Sequence, residues 1–246
     1  MPLGEYTGQN ERALIWAGLY FGVWIIQRLW CNLGLPDNCE VVTEPLDVLT
    51  DLVVLFTFSL AQAWWCDLLE KDRWADTIKK PWVFAVVPIT ALIISALGRI
   101  RGLEPWEYKH PGEDFEFSGV RSTLFILGLI AVIFFISWHF ARAYTTLEGT
   151  LFISGGKGDN IKKPDVNLHA MYTGSRAVLV LWGILFTCFL IVEDDGFDYR
   201  GALLAWVLSL LAVFPISVSL MWLGITTGIF IQGIGANRLR FLGCDP

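Results

Sequence analysis

The stretch TLFILGLIAVIFFISWHFA, residues 123–141, decides the class of this chain. A helical run of about 20 apolar residues spans a hydrocarbon layer roughly 30 Å thick. This one contains His139 as its only ionisable side chain. Comparable runs occur at 13–30 (ALIWAGLYFGVWIIQRLW), 48–68 (with Asp51 near its start), 81–98 (PWVFAVVPITALIISALG), 174–192 and 202–234. The expected fold is therefore an all-α, polytopic transmembrane helical bundle of about six spans, forming one transmembrane domain over residues 1–246.

Composition agrees. Of the 246 residues, 54% are hydrophobic and 17% charged, and the mean hydropathy is +0.54. Soluble domains carry about 25% charged residues. The net charge of −6 argues against nucleic acid as a partner, since phosphate neutralisation needs clustered Lys and Arg. Membrane lipid is the expected surrounding, with other membrane subunits or a homo-oligomer as protein partners. The opening residues MPLGEYTGQNER lack the basic region and small-residue cleavage site of a signal peptide, so the first apolar run is expected to be retained.

The last run, 202–234, is too long for one perpendicular span, covering about 50 Å. Dividing it at Pro215 leaves a short first half, and no polar turn separates the two. The expectation is a single tilted helix kinked at Pro215. With six spans and both termini cytoplasmic, 12 Lys and Arg residues fall inside and six outside, as the positive-inside rule requires. A plasma or inner membrane fits this asymmetry, with an organelle membrane as the alternative. Trp30 and Trp106 at one boundary and Trp64, Trp65, Trp82 and Trp138 at the other match aromatic belts.

Few residues point to chemistry. Cys31 and Cys39 flank the first outer loop and could form a disulfide on an oxidising side; the alternative is two thiols. Cys66, Cys188 and Cys244 are scattered without a C-x-x-C, so no metal and no cofactor is expected. His139 and His169 read as interfacial side chains rather than ligands. SGGKGDN lacks the Ser or Thr that a phosphate loop needs after Lys157. No span supplies an acid, base and nucleophile, so no catalytic residues are assigned and an enzyme is disfavoured. Apart from Asp67 and Arg176 at the inner ends, only Arg28 and Asp51, both near the outer boundary, carry charge into the spans. Their matched depth suggests an ion pair joining the first two spans, or a snorkelling Arg28 beside a capping Asp51.

The sixth run carries the strongest pattern. Ser217, Gly224, Gly228 and Gly235 fall within about 20° to either side of one line on a helical wheel. Such a small-residue face lets another backbone approach closely, either within the chain, in an oligomer or as a pore wall. Thr227 and Ser217 would then line a path near Pro215, with Pro88 opposite. VPITALIISALG and FPISVSLMWLG also echo one another, placing Pro88 and Pro215 in equivalent positions of two halves running in opposite directions, the pattern of inverted transporter repeats. The functional expectation is a passive transport or channel-like membrane subunit. The alternative is a non-catalytic structural subunit of a larger membrane complex.

Overall fold

The computed structural model describes residues 8–34, 45–97, 119–153, 174–183, 185 and 198–237. These form helices α1 (Gln9–Asn32), α2 (Pro45–Trp65), α3 (Lys71–Ile78), α4 (Trp82–Leu97) and α5 (Gly119–Ile153). Then come α6 (174–183), α7 (Asp198–Ser209) and α8 (Ser217–Asn237). No strand occurs among the described residues. Four helices, α1, α2, α5 and α8, are long and apolar enough to cross a membrane, or five spans if the bent pair α3–α4 counts as one. The chain divides into two compact units, one holding α1–α4, α7 and α8, the other α5 and α6.

Local chemistry sets the helix limits. The Glu11 carboxylate accepts the Gly8 N–H at 3.0 Å and fixes the start of α1, as in a capping box. At its other end Gly34 takes φ +74°, and its N–H donates to the Cys31 carbonyl at 2.9 Å. Only glycine enters that left-handed conformation without a Cβ penalty. Proline opens α2 at Pro45, where a missing N–H costs nothing. A 70° bend separates α3 from α4, with Pro81 in the break.

Within the first unit each outer helix buries one stripe. On α4 it is Val83, Val87, Ala91 and Ser95; on α2 it is Asp51, Leu55, Ser59, Gln62 and Ala63. Leu46, Leu49, Val53 and Phe56 of α2, and Ile89 and Ile93 of α4, point outward. An apolar exterior of this kind suits lipid as the solvent. Helix α8 differs. In its apolar stretch 67% of residues are buried, against 17–33% for the other three long helices, so α8 is the axis around which α1, α2, α4 and α7 gather.

The expected single kinked helix over 202–234 is corrected. Gly233 faces Ala202, and the Trp222 indole donates to the Leu208 carbonyl at 3.1 Å. Thus α7 and α8 form an antiparallel hairpin that turns at residues 210–216. The turn is apolar in sequence because its polar partners come from elsewhere. Arg73 donates to the Ala212 carbonyl at 2.9 Å, Lys80 to the Pro215 carbonyl at 2.7 Å, and the Cys66 thiol to the Ser209 carbonyl at 3.4 Å. Irregular backbone is tolerated at membrane depth where protein groups satisfy it.

The hairpin changes the direction of the last helix. Gly224 meets Val83 and Val86, and Gly228 meets Val87 and Thr90, so α8 runs parallel to α4. Contacts of Tyr20 with Phe230 and of Gln27 with Gly235 make it parallel to α1 as well. Residues 9 and 237 therefore lie at opposite ends of this unit, not on one side as the six-span reading requires. An inverted repeat relating the third span to the last also fails, because α4 and α8 point the same way.

In the second unit, Phe135, His139 and Ala143 form the buried stripe of α5, while Ile126, Leu129, Ile130 and Ile133 are exposed. His139 is fully buried and interacts electrostatically with Arg176 of α6.

The hairpin makes a direct prediction. Single cysteines at Ser217 and Asn237, probed with an impermeant thiol reagent after native thiols are blocked, will label from opposite faces. Ser217→Cys will share its face with Asp76→Cys, and Asn237→Cys with Gly34→Cys. Labelling of Asn237→Cys from the face of Asp76→Cys would restore the single-helix topology.

Candidate intramembrane polar site

The first unit encloses a cluster of uncharged polar side chains around Gln62, which is fully buried. The Trp16 indole donates to its Oε1 at 3.1 Å and the Tyr20 hydroxyl at 2.6 Å. On the other side, Gln62 Nε2 donates to Thr227 Oγ1 at 3.0 Å and to Ser209 Oγ. An indole N–H can only donate, so the oxygen of the amide must face Trp16; the amide orientation follows from chemistry. Two acceptor and two donor sites are all occupied. One side chain of α2 thereby ties α1, α7 and α8 together.

Why the sequence builds this is visible in the helix stripes. Trp16 and Tyr20 are one turn apart on α1, inside the stripe Arg12, Trp16, Tyr20, Val23 and Gln27. Gln62 continues the α2 stripe begun by Asp51, Leu55 and Ser59. Ser209 closes α7 and donates to the Trp206 carbonyl at 2.5 Å. Trp206 in turn donates to the Phe58 carbonyl at 3.2 Å.

Two further links lie toward the Gly34 end. Arg28 and Asp51 form an ion pair at 2.6 Å, and the Trp24 indole also donates to Asp51, at 3.3 Å. The Arg28 guanidinium sits 5.6 Å from the Trp24 ring centre, within cation–π range. Beside them Ser95 of α4 donates to Gln27 Oε1 at 2.8 Å, and both residues are fully buried.

The small-residue face is divided among neighbours. A Cβ at Gly228 would come within 2.6 Å of the Val87 carbonyl oxygen, and one at Gly224 within 2.8 Å of Val86. Gly235 instead abuts Gln27 of α1, and Gly233, on another side, abuts Ala202. Ser217 is exposed at the start of α8, Pro215 is exposed in the turn, and Pro88 is half-buried within α4. The structure does not gather Ser217, Thr227, Pro88 and Pro215 around a kink; Thr227 is engaged by Gln62. Cys31 is disulfide-bonded, and Cys39, its expected partner, lies outside the described residues, as does His169.

Sequence reasoning did not single out Gln62, Tyr20, Ser209, Gln27, Ser95 or Arg73. The signal was phase: Gln62 lies eleven residues after Asp51, which is three helical turns and the same face. Arg73, on the short helix α3, is 5% exposed. Burial lowers its guanidinium to about 10, so it stays charged at neutral pH. No group of three His, Cys, Asp or Glu residues gathers among the described residues.

Together the site is an internally bonded polar seam joining the helices. Comparison of the chain with family models, curated proteins and solved structures gave no match.

Two predictions follow the geometry. Gln62→Leu strands the Trp16 indole and Ser209, and will destabilise the unit by about 1–3 kcal/mol. Thr57→Ala, at an exposed α2 position that bonds only its own turn, will shift stability by less than about 0.5 kcal/mol. Equilibrium unfolding in detergent measures both, and equal effects would remove the central role of Gln62. Glycines separate in the same assay. Gly228→Ala will destabilise because the Val87 carbonyl cannot yield. At Gly22 nothing lies within 4 Å of a new Cβ, so Gly22→Ala will gain up to about 1 kcal/mol from helix propensity.

Proposed function

We propose that this chain is a non-catalytic structural subunit of a larger membrane complex. One observation supports the reading above others: Gly224 and Gly228 of α8 are closed against α4, and Gly235 against α1, of the same chain. A pathway along that face would need Thr227 accessible, whereas Thr227 is hydrogen-bonded to Gln62. The polar groups of the first unit serve helix cohesion, and the outward side chains of α2, α4 and α5 offer apolar surface to lipid or neighbouring subunits. The chain is placed with the start of α1, α3 and the 210–216 turn on the cytoplasmic side. Lys71, Arg73, Lys79 and Lys80 crowd that end, as the positive-inside rule favours. A plasma or inner membrane remains the proposed location.

The channel-like alternative draws on one feature, the Gln62–Tyr20–Ser209–Thr227 cluster between four helices. It requires the cluster to open to water or solute. Purification from the native membrane in mild detergent, followed by native mass spectrometry and flux assays in proteoliposomes, separates the two. A structural subunit will leave the membrane at fixed stoichiometry with unlike chains and will conduct nothing alone. A lone chain or homo-oligomer that passes solute, with flux abolished by Gln62→Leu, would overturn the proposal.

A further inference from the structure

The hairpin turn between α7 and α8 has an electrostatic property that helix cohesion alone does not use. Arg73 anchors one nitrogen on the Ala212 carbonyl at 2.9 Å, yet its Nε and Nη1 are buried without any hydrogen-bond partner. Asp67 and Asp76 act on it electrostatically, but Arg73 forms no ion pair with either. A buried cation without a paired carboxylate costs several kcal/mol. The Lys80 ammonium sits on the same turn, 2.7 Å from the Pro215 carbonyl. Immediately beyond it begins α8, 21 residues long, whose N-terminus presents unpaired N–H groups and a positive dipole end. In its first turn the buried Ser219 hydroxyl also lacks a partner. Arg73 and Lys80 thus both bond carbonyls of the turn that leads into the α8 N-terminus, and among the described residues neither cation forms an ion pair.

We propose that the Arg73–Lys80–α8 N-terminus collar binds a phosphate-type oxyanion, supplied by the headgroup of an anionic lipid at the face where α3 lies. The chemistry fits. A phosphate diester accepts hydrogen bonds from the unpartnered guanidinium edge and the ammonium together, while its acyl chains run along the exposed apolar surface of α4. The polar rim is open at Pro215, Ser217 and Lys79, all exposed, so a headgroup enters from the interface and draws Arg73 toward it. Such a site selects the charge of the lipid, not the length of its chains.

The test uses the full chain in detergent, delipidated and then titrated with phosphatidylglycerol, with phosphatidylcholine, or with inorganic phosphate. Native mass spectrometry reads adducts and thermal unfolding reads stabilisation. Phosphatidylglycerol adducts will survive activation that strips phosphatidylcholine, and will raise the unfolding temperature. Arg73→Gln will weaken phosphatidylglycerol retention about tenfold. Lys80→Gln, at the half-exposed rim and with an amide that can still donate to the Pro215 carbonyl, will weaken it several-fold while leaving phosphatidylcholine adducts unchanged. Stabilisation by inorganic phosphate, lost in both variants, would support the same site with a free anion as its source. Equal retention of the two lipids with no response to phosphate would overturn the proposal. So would phosphatidylglycerol retention that Lys80→Gln leaves intact.

Discussion

The first unit depends on how closely α8 approaches α4. At Gly228 the distance from a virtual Cβ to the Val87 carbonyl oxygen is 2.6 Å, so no side chain larger than hydrogen fits. That contact permits α8 to be an axis rather than a wall. With α4 drawn in on one side, Gly233 admits α7 and Gly235 admits Gln27 of α1. Lipid offers helices no hydrophobic reason to associate, so close van der Waals contact and interhelical hydrogen bonds must hold them. Small residues on α8 bring the backbones close, and the buried amide of Gln62 then spans the remaining distance.

The polar groups are arranged by depth. At the Gly34 end Arg28, Trp24 and Asp51 bind one another, with Gln27 and Ser95 beside them; further along come Gln62 and its four partners; at the other end Arg73 and Lys80 hold the hairpin turn. Each level joins different helices, so a shift of α1 or α2 along its axis would break several bonds together. Polar pairs in membranes are individually modest, often below about 1 kcal/mol. Their effect here is register: Trp16 and Tyr20 can both reach the same amide only when α1 and α2 are correctly aligned.

Much of this was legible in the chain, and the rest was not for identifiable reasons. The apolar runs announced the helices because periodic hydrophobicity is a local property. Arg28 and Asp51 were legible as a pair because charge is rare in a span and their depths match. Gly224 and Gly228 were legible as a packing face, though sequence could not choose between a neighbour in the chain and one outside it. The hairpin was missed because 210–216 carries no polar residue of its own. Its hydrogen-bond donors, Arg73 and Lys80, lie more than 130 positions away. Gln62 was overlooked since an uncharged amide scarcely perturbs hydropathy, although its phase with Asp51 placed it on the buried face.

The dependence of the 210–216 turn on Arg73 and Lys80 also orders events during biogenesis. A ribosome delivers α1 through α4 well before α7 and α8, so the donors are in position before the carbonyls they hold exist. Until then the early helices frame an incomplete bundle, with Gln62 and the Val87 face of α4 awaiting their last neighbour. The late hairpin enters as a keystone, and a nascent chain arrested ahead of it would present the Gln62 amide to the insertion machinery rather than to Ser209 and Thr227.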